Sequence, residues 1–168
     1  PMADSDSDSD FVLDIALLNE AFADYVPFNR ALGLTLVHAS AGPPVATMRL
    51  PYDARFVGNP ETGVLHGGVI TTLMDATCGA AVFFALRAST PIATLDLRID
   101  YLKPGTPGRD IFARAECFKT THNVAFVRAL AFHDKPEDAI AAASGTFMIS
   151  TRGKGVTDES LRKPGGAT

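Results

Sequence analysis

Cysteine is scarce in this 168-residue chain: only Cys78 and Cys117 are present, far apart and each inside an apolar segment. That pattern excludes a disulfide framework or a cysteine metal site and predicts two reduced core thiols. An excess of either charge is also lacking. The formal charge is -4, and Asp4, Asp6, Asp8 and Asp10 supply all of it, so the remaining 15 acids match the 15 lysines and arginines. A folded body this neutral is not a nucleic-acid surface, and no nucleic-acid partner is expected. No uninterrupted apolar run reaches the ~18 residues of a membrane span. The best candidate, Val64–Leu86, is broken by His66, Asp75 and several glycines and threonines. With no basic-then-apolar leader, the expectation is a cytoplasmic protein without a membrane partner. Finally, GxSxG, a P-loop, GxGxxG, HExxH and CxxC are all missing, which removes the commonest serine-hydrolase, nucleotide and zinc chemistries.

What is present is an ordinary globular balance, 46% hydrophobic and 20% charged, at a length suited to one domain. The acidic repeat "PMADSDSDSD" reads as a disordered tail over residues 1–10, and the polar, Gly-rich residues 152–168 as a flexible C-terminal tail. A single domain over residues 11–151 is expected between them. "FVLDIALLNEAFADYV" has helical spacing, with Asp10 as its N-cap and Pro27 as its end; "PFNRALG" then reads as a short connecting turn. "LTLVHASAG" and "PVATMRLPY" read as a hairpin across "GPP", and "DARFVGNPETG" as a polar loop into the apolar helix. Beyond Leu86 the period falls to two. In "ATLDLRIDYL", Ala93, Leu95, Leu97, Ile99 and Tyr101 alternate with polar residues, predicting a strand with one buried face. "IFARAECFKT", "VAFVRALAFH" and "AIAAASGTFMIS" complete an antiparallel set. The predicted class is α+β, with an antiparallel sheet of five to six strands wrapped around one long central helix. A helix apolar nearly all round must be covered on more than one side, so a second copy of the chain is expected.

The candidate site is "NPETGVLHGGVITTLMDATCGAA". Gly67 and Gly68 follow His66 and open the helix, where free backbone N–H groups and the positive dipole end can bind a carbonyl oxygen. Asp75, eight residues after Gly67, is an acid in an apolar helix, a costly placement that asks for a chemical reason. On a helical wheel it shares a face with Gly68, Thr71, Thr72 and Gly79, whose small side chains leave room for a ligand. Leu73, Met74, Cys78 and Val82 lie towards another side. A structural alternative is neutralisation of Asp75 by Arg98. His66 is a general base, a donor to substrate or a turn residue. Asn59 either donates to a carbonyl or caps its own loop. His38, His122 and His133 belong to no constellation and read as structural or surface residues.

This stretch, with its histidine, two glycines, following aspartate and Gly79 four residues beyond, resembles the hot-dog-fold acyl-CoA thioesterases of the phenylacetate-pathway (PaaI-like) group. "ATLDLRIDYLKPG" resembles that family's strand after the helix, and the likeness runs from about Pro27 to Ser150. The resemblance implies hydrolysis of an acyl-CoA. Asp75 would be nucleophile or general base, and Gly67 N–H would polarise the thioester oxygen. His66 and Asn59 would orient the thioester, and Thr94 would position water. It also implies a homodimer or homotetramer in which Asp75 and Thr94 face Gly67 of another subunit. The acyl chain would lie in an apolar tunnel near Phe83 and Phe84. Basic residues of the strand half (Arg87, Arg98, Lys103, Arg109, Arg114, Lys119 and Arg128) are candidates for the coenzyme A phosphates. No metal or cofactor is required, because a thioester is already activated. Two rivals use the same pocket: a hot-dog acyl-thioester dehydratase or hydratase, and a non-catalytic acyl-CoA-binding module.

Overall fold

The computed structural model describes residues 15–87 and 90–149. The tails expected at 1–10 and 152–168 lie outside the described residues, as do Val12 and the proposed cap Asp10. The first helix, α1, runs Ile15–Tyr25. "PFNRALG" is not a turn but a second helix, α2 (Pro27–Leu32), with proline in its first turn and Gly33 closing it at φ 68°. Pro27 stops one helix and starts the next, because its fixed φ and missing N–H suit a first helical position.

Strands β1 (Thr35–Ala41) and β2 (Pro44–Leu50) form the expected hairpin. The "polar loop" after them is more ordered than its composition suggests. It holds a 3-10 turn over Ala54–Phe56 and a small ribbon of β3 (Val57–Asn59) and β4 (Val64–Leu65). Helix α3 (Gly67–Leu86) follows, then β5 (Ile92–Tyr101), β6 (Ile111–Thr120), β7 (Val124–Phe132) and β8 (Ala141–Ile149). The main sheet has six antiparallel strands in the order β1-β2-β6-β7-β8-β5.

The sheet curls around α3, whose principal neighbours are β2, β6 and β7. The strand faces turned to the helix are rich in alanine: Ala113 and Ala115 on β6, Ala125, Ala129 and Ala131 on β7, Ala141 and Ala143 on β8. These short side chains let a 20-residue helix settle close to the sheet. Its Leu73, Met74, Cys78 and Val82 are fully buried there. Each large side chain so buried contributes roughly 1.5–3 kcal/mol. By length and composition α3 is apolar enough to cross a bilayer, but here it is the helix around which the sheet closes.

The two edges differ. At β1, Asn19 of α1 substitutes for a neighbouring strand: its Nδ2 donates to Leu36 O (2.8 Å) and its Oδ1 accepts from Leu36 N (2.6 Å). At the other edge, β5 pairs only with β8 within the chain. Its alternation does not produce the buried face expected from sequence: Leu95 is 55% and Tyr101 51% exposed. A register shift between Thr94 and Asp96 breaks the alternation at Leu95, so that Thr94 rather than Leu95 meets the helix.

Candidate active site

The start of α3 is set by the β3–β4 ribbon. His66 N donates to Phe56 O (2.8 Å), and Gly58 lies so close that a Cβ on it would come within 2.8 Å of His66 Cα. His66 is then the N-cap of α3, with Nδ1 accepting from Gly68 N at 2.9 Å and its carbonyl accepting from Val69 N. A backbone amide can only donate, so Nδ1 carries the lone pair and the neutral ring holds its proton on Nε2. Gly67 N–H, ahead of the first intrahelical bond, has no acceptor among the described residues.

The open face of α3 is the one read from the wheel: Gly68 is exposed and Thr71, Thr72, Asp75 and Gly79 are partly exposed, while the opposite face is buried. Asp75 is thus half-buried rather than enclosed, which lowers the cost of a charge in an apolar helix. Its Oδ1 accepts from Thr94 Oγ1 of β5 at 2.8 Å. Arg98 does not neutralise it, because that guanidinium pairs with Asp100 (2.9 Å). Among the described residues no cation forms an ion pair with Asp75.

Asn59 closes its own turn, with Oδ1 accepting from Glu61 N (3.0 Å) and its carbonyl from Thr62 N and Gly63 N. Phe83 and Phe84 pack edge to face with each other and with Phe22 of α1, far down the helix from His66. Of the basic residues, Arg98, Lys103, Arg109 and Arg128 are each paired with a carboxylate. Arg114 and Lys119 form no ion pair among the described residues. His133 is structural: Nε2 accepts from Thr106 N (2.8 Å) and Nδ1 lies 2.7 Å from Asp110 O, fastening the β5–β6 loop.

Two clefts of about 360 Å³ flank the helix start. One is bounded by Phe28, Leu32, Phe56 and Val69 together with His66, Gly68, Thr72 and Arg55. The other includes Gly67, Ile70, Tyr101, Leu102 and Lys103. No local pattern marks Phe28 or Arg55, since their approach to His66 depends on α2 and on the 3-10 turn. Neither cysteine is a nucleophile candidate. Both are buried and free, and burial, with the Asp75 charge second, pushes the Cys78 thiol up to about 12.

An aspartate with a fixed hydroxyl partner, on a helix whose start offers an unused N–H, is equipment for attack on an activated carbonyl. The comparisons agree. The family model described as Thioesterase superfamily matches residues 62–140. The Medium/long-chain acyl-CoA thioesterase YigI of Salmonella typhimurium is 32% identical over 148 residues, covering 80% of this chain and 93% of that protein. Human Acyl-coenzyme A thioesterase 13 is 32% identical over 100 residues, 59% of this chain and 68% of that protein. A crystal structure of a Pseudomonas aeruginosa protein is 42% identical with a TM-score of 0.71, over 81% of this chain and 98% of that one. The phenylacetic acid degradation protein PaaI of Thermus thermophilus is 26% identical with a TM-score of 0.64, over 74% of this chain and all of that one. The chain belongs to the thioesterase superfamily and has its hot-dog fold. It is an enzyme, a thioester hydrolase of the kind represented by the acyl-CoA thioesterases it matches.

Proposed function

We propose that this enzyme hydrolyses acyl-CoA to the free acid and coenzyme A at a site shared between two copies of the chain. The observation that carries the reading is the Thr94–Asp75 hydrogen bond on the open face of α3. Eight residues separate Asp75 from Gly67, about 12 Å along the helix, so one chain's pair cannot both reach one carbonyl. A second copy seated against β5 and that open face would bring its own Gly67 to Asp75, and would cover Leu95. A dimer of this kind, or a tetramer built from two, follows from that requirement.

In the reaction, Asp75 removes a proton from water while Thr94 holds Oδ1 and leaves Oδ2 for the work. The hydroxide adds to the thioester carbon, and charge develops on the oxygen. Gly67 N–H and His66 Nε2–H of the facing copy stabilise that oxyanion. Collapse breaks the carbon–sulfur bond, and the proton held by Asp75 passes to the departing thiolate. Direct attack by Asp75 through an anhydride uses the same residues; labelled oxygen from water would appear in Asp75 only by that route. Since His66 Nδ1 is occupied and Nε2 carries the proton, the ring has no lone pair for removing an α-proton, which counts against the dehydratase.

The apolar walls of the cleft beside His66, together with the medium- and long-chain activity named for the Salmonella relative, favour an aliphatic acyl group. Asn59 would orient the thioester through Nδ2, because its Oδ1 is engaged. Gly68, Thr72 and Gly79 would border the acyl path, with Phe83 at its far end. Arg98, Arg114 and Lys119 are the candidates for the coenzyme A phosphates. A panel of acyl-CoAs from acetyl to palmitoyl, with phenylacetyl-CoA beside them, tests the assignment. Highest kcat/KM on chains of medium length or longer supports it. A preference for phenylacetyl-CoA would replace the aliphatic class with an aryl one.

A further inference from the structure

The carbonyl of Gly67 is held with unusual thoroughness. Tyr101, at the end of β5 and 34 residues away in sequence, donates its hydroxyl to Gly67 O at 2.7 Å. Thr71 Oγ1 reaches the same oxygen at 3.2 Å and lies 2.8 Å from the Tyr101 hydroxyl. The other end of that peptide unit is Gly68 N–H, which donates to His66 Nδ1. The peptide plane between Gly67 and Gly68 is therefore gripped at both its oxygen and its hydrogen. These contacts run in one sense: Tyr101 O–H to Gly67 C=O, Gly68 N–H to His66 Nδ1, and out through His66 Nε2–H. In such a chain each hydrogen bond polarises the next. The approach is close enough that a Cβ on Gly67 would stand 3.1 Å from the Tyr101 hydroxyl.

We propose that Tyr101, assisted by Thr71, is a positioning residue for the thioester-binding donors. It fixes the Gly67–Gly68 peptide, and through it the His66 tautomer and the direction of Gly67 N–H. This rests on the acyl-CoA hydrolase reading of the site. It gives β5 two tasks, since the strand that orients Asp75 through Thr94 also sets the helix start through Tyr101. Half-exposure of a tyrosine whose hydroxyl is fully engaged fits a side chain placed for that contact rather than for burial.

Tyr101→Phe keeps the ring and removes only the hydroxyl. The expected result is a kcat lowered about tenfold with KM within about twofold, the scale of one lost hydrogen bond. Thr71→Val should lower kcat in the same sense, and Thr71→Ser should recover most of that loss. Imidazole nitrogen NMR supplies a readout independent of turnover. Wild type should show His66 as the Nε2–H tautomer, and Tyr101→Phe should admit a fraction of the other. Unchanged kcat in Tyr101→Phe overturns the proposal, as does a kcat loss with the His66 tautomer unmoved. Failure of the hydrolase reading looks different: wild type then releases no thiol, while the NMR still reports whether Tyr101 governs His66.

Discussion

Replacing Thr94 by valine removes one atom's function at the centre of the site and little else. Valine keeps the branched Cβ that suits an edge strand, and puts a methyl where Oγ1 stood. The 2.8 Å bond to Asp75 Oδ1 is lost, and the carboxylate becomes free to rotate about its Cβ–Cγ bond. A hydrogen bond to a charged group has a net strength of about 1.5–3 kcal/mol. Thr94 is exposed in the single chain, so the lower end applies unless a second copy covers it. At about 1.4 kcal/mol per tenfold, kcat should fall roughly 10-fold, and up to 100-fold if the site is dry. KM should change little, because the bond orients a reacting group rather than holding substrate. Thr94→Ser keeps the donor and should retain most of the rate. Thiol release measures kcat and KM, and a thermal melt verifies folding. A folded Thr94→Val enzyme with kcat within about twofold of wild type would refute the orienting role.

Three further outcomes follow from the geometry. Gly145 of β8 faces the register shift in β5, and a Cβ there would meet Asp96 O at 2.7 Å and Leu97 Cδ1 at 2.9 Å. Gly145→Ala should therefore cost about 1–3 kcal/mol in urea denaturation and lower activity through the displaced β5. Asp110 accepts from Tyr52 N (2.9 Å) and pairs with Arg49 (2.6 Å); the backbone donor first, then the guanidinium, holds its carboxyl below the ordinary value. A carboxyl depressed in the folded state contributes stability that is complete above about pH 4 and is lost as pH falls through the depressed value. Asp110→Asn should thus flatten the acid limb of the stability curve below about pH 4, with the wild-type slope persisting as the refuting result. Mixing inactive Asp75→Asn chains with inactive His66→Ala chains should restore about a quarter of wild-type activity, since a random dimer of the two carries one intact shared site in half its population. No recovery after verified subunit exchange would place both groups in one chain.

Much of this architecture was legible because it rests on periodicity. The alternation in "IFARAECFKT" and "AIAAASGTFMIS" survives as buried and exposed faces of β6 and β8, and the wheel through Asp75 separates the faces of α3 as drawn. The misreadings arose where long-range context overrides a local signal. Pro27 marks a helix end and equally a helix start, and only the packing of α2 decides. Tyr101 fits the apolar parity of β5, yet its hydroxyl is drawn to Gly67, 34 residues away, which no local pattern encodes. Acidity in an apolar helix marked Asp75, and its partner is Thr94 on a neighbouring strand, not the Arg98 of the structural alternative. The register shift that turns this edge strand and brings Thr94 to Asp75 is visible only in three dimensions.

The most direct test of the account is thiol release from a medium- or long-chain acyl-CoA by wild type and by Asp75→Asn under saturating substrate. The variant preserves shape and removes the charge, so it should bind acyl-CoA with similar affinity and lose at least about 100-fold in kcat. An Asp75→Asn enzyme turning over at the wild-type rate would contradict the central claim that this carboxylate drives thioester cleavage.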